Sequence, residues 1–278
     1  MLQRVDRVQL AVRDAEAAAA SFAHVLGASQ IREDTVRVLN ARRIVVQAGE
    51  AEFELLQPAG EGAVASQLDR WGEGVYAAGF AVEDTAALSR HMDDAGLHFT
   101  QEADQIFIEA DQTRGMRCVI SPMLQMGSPG LITHLYEVTN IVEDHQKTAS
   151  DYAHAFGLDV SRFVPINSER WGYQGTLTMF DPPNRLDRIE LTQITQPSLA
   201  MGRFFARRGE SLYMCYAEAN DLGPIYERLA AGGLRYTGDP DSDASLFIHP
   251  TALCGMLMGI SRTDQAWRWS GRPELARA

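Results

Sequence analysis

Hydrophobic and polar positions alternate in short runs along this chain, and helical patterns interrupt them at regular intervals. Val8, Leu10 and Val12 face one way and Arg7, Gln9 and Ala11 the other, as in a half-buried strand. Asp14 then stands where its side chain can accept from the free amides of a helix, AEAAAASFAHVL, and Gly27 ends that helix. Strand patterns follow over residues 28–57, notably Arg43–Gln47 and Ala51–Gln57. The segment reads as one βαβββ unit.

A second unit begins at Val75. Asp84 caps a helix in which Leu88, Met92 and Ala95 share a face, Gly96 stops it, and strands follow near 105–110 and 116–121. PMLQMGSPG, residues 122–130, reads as a linker. A third unit opens with LITHLYEVTN, and Asp144 to Gly157 repeats the helix of Asp14 to Gly27, with His154 at the step of His24. The fourth starts at Leu212. Pro224 falls in the first turn of its helix, where a missing amide costs nothing, and Leu222, Ile225 and Leu229 form the buried stripe.

The repeat extends to the connections. Glu54, Gln57-Pro58, Gly72-Glu73 and Tyr76 match Glu190, Gln196-Pro197, Gly209-Glu210 and Tyr213. The expected fold class is α+β: four βαβββ modules paired into two domains, residues 1–124 and 131–262, each with a half-barrel cup, and a tail at 263–278. Polar side chains on the first and last strands of each unit then converge in the cups. Trp267 and Trp269 in the tail are expected to pack over a sheet edge or against a second copy in a homodimer.

A hydrophobic content of 45% and a charged content of 22% suit a globular chain. The net charge of −12 disfavours nucleic acid as a partner. No apolar run is long enough to span a bilayer, and the N-terminus enters a strand pattern without a signal-peptide core, so the expectation is a cytoplasmic protein with a small-molecule substrate. Cys118, Cys215 and Cys254 form no zinc spacing and read as reduced thiols.

Glu54-Leu-Leu-Gln-Pro58, Arg208-Gly-Glu-Ser-Leu212, Phe247-Ile-His-Pro250 and Cys254-Gly-Met-Leu257 carry a resemblance. The chain resembles the vicinal oxygen chelate superfamily of glyoxalase I, methylmalonyl-CoA epimerase, bleomycin-resistance proteins and extradiol dioxygenases, with the epimerase and glyoxalase branch nearest. The resemblance implies two vicinal-oxygen-chelate domains. It also implies a divalent metal held by a histidine or glutamine and a glutamate from each of two units, with open positions for adjacent substrate oxygens.

Carried over by position, the first-domain ligands fall on Arg7, Glu54, Ala77 and Val119. Only Glu54 can bind a metal, so an Arg7–Glu54 pair is expected instead. The second-domain positions fall on His134, Glu190, Met214 and Gly259. His134 and Glu190 are competent ligands, which implies at most a weakly bound divalent metal completed by a chelating substrate. Two registers are open for this strand. His134 matches Arg7 if the Leu-Tyr-Glu-Val run is the family's opening strand, and Glu137 matches Arg7 if the helices set the alignment. The first is preferred.

The expected catalytic groups are His134, Glu190 and Tyr213. Tyr136, Met214, Tyr216, Leu257 and Gly259 would bind substrate in the second cup, and Arg7, Glu54 and Tyr76 would line the first. Gly259 is expected to open volume and Met214 to line it with soft apolar surface. The leading expectation is an isomerase or lyase working by acid–base proton transfer on a small oxygenated compound. A metal-free sequestering protein of the bleomycin-resistance kind is the alternative. An extradiol-type dioxygenase is disfavoured by Met214 and Gly259, and a glutathione-dependent glyoxalase by the missing metal set.

Overall fold

A computed structural model describes residues 1–181, 184–242, 244–262, 265 and 270. The first half runs β1 (Arg4–Ala11), α1 (Ala15–Leu26), β2 (Ser29–Val36), β3 (Ala41–Ala48) and β4 (Ala51–Pro58). It continues through α2 (Ala63–Trp71) to β5 (Gly74–Val82), α3 (Thr85–Asp94), β6 (Thr100–Glu102), β7 (Gln105–Ile108) and β8 (Cys118–Pro122). The second half repeats the order: β9 (His134–Ile141), α4 (His145–Phe156), β10 (Phe163–Ser168), β11 (Tyr173–Met179), β12 (Arg188–Ile194) and α5 (Ala200–Arg208). It ends with β13 (Ser211–Glu218), α6 (Gly223–Ala231), β14 (Tyr236–Gly238), β15 (Ser245–Ile248) and β16 (Leu257–Ser261).

Each half forms one eight-stranded sheet, in the orders β2-β3-β4-β1-β5-β8-β7-β6 and β10-β11-β12-β9-β13-β16-β15-β14. Within a module the helix carries the chain back, so the first and fourth strands pair in parallel, and the two modules join through antiparallel first strands. The caps are those expected. Asp14 accepts from Ala17, Asp84 from Ala87, and Asp144 from Gln146 and Lys147, while Gly27 and Gly157 take the left-handed conformation that ends α1 and α4.

α2 and α5 were not expected. They fill equivalent places, in the connections between Glu54 and Tyr76 and between Glu190 and Tyr213, to which no element was assigned. Each has nine residues, too short to be stable alone, and docks by a few apolar residues: Val64 and Leu68 in α2, Met201 in α5. Trp267 and Trp269 lie outside the described residues. No described helix is long and apolar enough to cross a membrane.

The helix-bearing faces of both sheets share one core. Phe22 packs on Phe53 at 4.8 Å between ring centroids, and Phe80 meets Phe180 of the other half at 6.0 Å. The halves also lock through a reciprocal backbone contact. Glu73 accepts from the amide of Arg13, and its counterpart Glu210 accepts from the amide of Glu143. The carbonyls of these two residues then press on Gly255 and Gly115 of the opposite half, both at φ +85°. A Cβ there would lie 2.0 Å from the carbonyl oxygen in either case. This gives the matched Gly-Glu pairs of the repeat a structural role.

In each sheet the first strand carries a bulge. Pairing slips between Val5 and Arg7 on β1, and between Leu135 and Glu137 on β9. Asp6 and Arg7, and likewise Tyr136 and Glu137, therefore both turn toward the concave face.

Gly255→Ala should destabilise the chain by about 2–4 kcal/mol, from the left-handed backbone and the clash together. Urea unfolding measures it, and an equal loss is expected for Gly115→Ala.

Candidate functional site

The floor of each cup is a rung between the parallel first and fourth strands. On β1 and β4, Arg7 faces Glu52 and Gln9 faces Glu54. On β9 and β12, Glu137 faces Arg188 and Thr139 faces Glu190. The two halves thus hold the same buried ion pair with its signs exchanged. Beside it stands the same glutamate, Glu54 or Glu190, receiving a hydrogen bond from Gln9 (2.8 Å) or Thr139 (2.9 Å).

In the first cup Glu54 is fully buried. It accepts from Arg7 at 3.0 Å, Arg43 at 2.9 Å, Gln9, and Gln105 at 3.0 Å. Burial opposes its charge, but Arg7 and Arg43 outweigh that and hold its carboxyl down at about 2. All three nitrogens of Arg7 are used, Nε and Nη2 on Asp6 and Nη1 on Glu52 and Glu54. A cavity of about 250 Å3 opens above this network, lined by Arg32, Asp34, Arg43, Glu52 and Gln105 among others. The expected Arg7–Glu54 approach is present. Tyr76 lies at the bulge of β5, buried, with the Arg117 guanidinium 4.7 Å from its ring centre and its hydroxyl without a hydrogen-bond partner. Burial raises its phenol to about 12 despite Arg117.

The second cup behaves oppositely. Arg188 donates from Nε to Glu137 at 2.5 Å. No arginine replaces Arg43, whose place on the adjacent strand falls to Gly175. Glu190 therefore sits beside a second carboxylate with less cationic compensation. Burial, then Glu137, push its pKa well above the ordinary 4.5, against the opposing pull of Thr139 and Arg188. Glu190 accepts a hydrogen bond from Thr139, and the Glu137 carboxylate and the Tyr173 phenol lie close enough to act on its charge. Burial, then Glu190, also push the Tyr173 phenol up.

Several expected site residues lie elsewhere. His134 is not brought to Glu190. It sits at the start of β9, 3.8 Å from Glu218, and the residue in the Arg7 position is Glu137. Burial, then Arg185 and Arg4, lower the His134 imidazole to about 3, so it is neutral and no general acid at neutral pH. The preferred register thus fails and the helix-set one holds, because the bulge at Tyr136 inserts a residue that strict alternation does not count. Tyr213 packs edge-on against Phe204 of α5 at 4.9 Å, and the tyrosine whose phenol feels the Glu190 charge is Tyr173.

Gly259 does not open volume. A Cβ there would lie 2.2 Å from the Tyr216 ring, which occupies that space. Met214 is buried and pairs in register with Leu257. Tyr136 is hydrogen-bonded to Ser261 and lies 5.9 Å from Tyr216, which in turn meets Phe247 at 5.7 Å. Phe247 meets Trp171 at 6.2 Å, completing a line of rings. Tyr173, Arg188, Phe247 and Trp171 were not singled out in the sequence. The one available signal was spacing, since Glu137 precedes Asp144 by the same step as Arg7 precedes Asp14.

The residues present do not fit the family's divalent metal in either cup. A guanidinium sits on each floor and would repel a cation, Arg7 bonded to Glu54 and Arg188 to Glu137. Among the described residues no group of three His, Cys, Asp or Glu side chains is placed to hold a metal ion.

The profile of the Glyoxalase/Bleomycin resistance protein/Dioxygenase superfamily matches residues 6–114. The first half of the chain is therefore similar to that superfamily, the vicinal oxygen chelate group, and the second half repeats the same strand order. A mutant 4-hydroxymandelate synthase from Streptomyces coelicolor superposes with a TM-score of 0.72 at 14% identity, over 94% of this chain and 93% of that one. That likeness is one of fold. Methylmalonyl-CoA epimerase from Streptomyces coelicolor covers 45% of this chain with all of its own, at 18% identity and a TM-score of 0.41. The Mycobacterium tuberculosis epimerase covers 50% with 92% of its own, at 21% identity and a TM-score of 0.40. No curated protein matches by sequence.

Glu54→Gln should cost about 3–5 kcal/mol in urea unfolding at pH 7, because it leaves two buried guanidinium groups undercompensated. The pH dependence of the two glutamates has opposite sign. The folded-state pKa of Glu54 is depressed, so its stabilisation is present above 4.5 and lost as pH falls toward 2. That of Glu190 is raised, so its contribution is present below 4.5 and lost as pH rises through the folded-state value. Glu190→Gln should therefore remove part of the decline in stability on the alkaline side, as read by thermal melts from pH 4 to 9.

Proposed function

We propose that the second cup is the active one, and that it binds a small oxygenated organic substrate and moves a proton next to its carbonyl, as an isomerase or lyase does. The observation that carries this reading is the buried Glu190, one rung from Glu137, joined to it through Thr139 and pushed toward its protonated form. A carboxyl pushed toward its proton beside a carboxylate paired with Arg188 can act as acid and base in turn. Glu137 takes the proton from carbon while Glu190 gives its own to the carbonyl oxygen, yielding an enol. The reverse transfers return a proton to carbon. Thr139 holds Glu190 in place, and no step calls on a metal. The first cup, whose glutamate is locked in its ionised form, supports no such chemistry and serves as a scaffold half.

A second reading, sequestration of an aromatic compound, is favoured by the line of rings from Trp171 through Phe247 and Tyr216 to Tyr136. Deuterium exchange from solvent into a panel of small ketones, aldehydes and 2-oxo acids, followed by NMR, separates the two. At least one compound should exchange faster with the protein than without it, and Glu190→Gln should slow that exchange about 100-fold or more. Exchange unchanged in Glu190→Gln, or absent throughout, would leave sequestration as the function.

A further inference from the structure

Arg188 is the one cup-floor arginine whose hydrogen bonds do not close. It is 3% exposed, its Nε is used on Glu137, and its Nη1 is buried with no hydrogen-bond partner. An orphaned guanidinium N–H in a buried site is costly and calls for a missing acceptor. The first cup shows what completes such a group. Arg7 meets three carboxylates, Asp6, Glu52 and Glu54, and no nitrogen is left over. In the second cup the place of Asp6 on the bulge is taken by Tyr136, whose ring centre lies 5.1 Å from the Arg188 guanidinium carbon. The neighbouring Glu190 leans to its neutral form. Arg188 therefore has one carboxylate fewer than Arg7 around it, and the ring of Tyr136 stands beside its unpartnered nitrogen.

We propose that the ligand of the second cup is a small carboxylic acid whose carboxylate seats on Arg188, with its apolar body against Tyr136 and Tyr216. The proposal rests on the second cup being the binding cup and adds the chemical class of what binds. Guanidinium is the group suited to this task, because its planar fork pairs with a carboxylate through parallel N–H bonds and stacks on aromatic faces. The remaining carboxylate of the cup, Glu137, stays on Nε and is not displaced. The seated acid would lie beside Glu190 and Glu137, where its carbonyl-adjacent carbon meets the proposed acid and base.

Isothermal titration of the full chain with propionate, benzoate and phenylacetate, each against its own amide, tests this. The amide keeps the shape and lacks the charge. At least one acid should bind about tenfold or more tightly than its amide. Arg188→Lys keeps the charge but loses the fork and should weaken that acid about tenfold, and Arg188→Gln should remove the preference for acid over amide. The first comparison uses the unmodified chain, so it does not depend on a variant folding. Acids and amides that bind alike, no acid that binds, or an acid preference that survives Arg188→Gln would each overturn the proposal. The acid-over-amide comparison on the unmodified chain involves no proton transfer, so the anion seat and the proton transfer can fail separately.

Discussion

The buried ion pair on the rung between the first and fourth strands governs both cups. Arg7 against Glu52 and Glu137 against Arg188 occupy the same register, and only the direction of the charge differs. Two buried opposite charges are tolerable only if each is paired and bonded, so whichever sign stands on the first strand dictates what can stand around it. With arginine there, the neighbouring Glu54 gains a cation and is held ionised. With glutamate there, the neighbouring Glu190 gains a second carboxylate and is pushed toward its proton. The exchange of partners across the rung, together with Gly175 in the place of Arg43, separates a cup whose glutamate is held ionised from one whose glutamate is pushed toward its proton. The same guanidinium groups make both floors unsuited to the divalent metal of the superfamily.

The two halves do not behave as independent bodies. Their helix-bearing faces share a core, and the reciprocal contacts of Glu73 with Gly255 and Glu210 with Gly115 tie each half to the other by backbone. The carboxylates of the same two glutamates also hold the turns after β1 and β9. Those strands carry Arg7 and Glu137, so the contact that joins the halves also fixes the strands that bear the floor charges.

Much of this was legible in the residues. The aspartate caps and terminal glycines placed α1, α3 and α4, alternation placed the long strands, and the equivalence of Glu54 with Glu190 survives in the register. What alternation misses is a bulge. One extra residue at Tyr136 displaces Glu137 from the expected parity, and His134 took its place in the reading although burial and two arginines keep it neutral and remote from Glu190. Gly259 misled for a related reason: a missing side chain suggests space, but the space belongs to the Tyr216 ring packed over it. α2 and α5 escaped because short helices depend on tertiary docking more than on their own pattern. The pairing of Arg188 and Tyr173 with the central glutamates lies between strands distant in sequence, and no local spacing announces it.

The most direct test of the exchanged ion pair is the titration of the two central glutamates. Carbon-13 NMR of the chain with labelled glutamate side chains, assigned by Glu54→Gln and Glu190→Gln, follows both carboxyl groups with pH. The account predicts that Glu54 titrates at about 2, or stays ionised down to acid unfolding, while Glu190 titrates well above 4.5 in the same sample. Two carboxyls that both titrate near 4.5, or a Glu190 that loses its proton before Glu54, would contradict it.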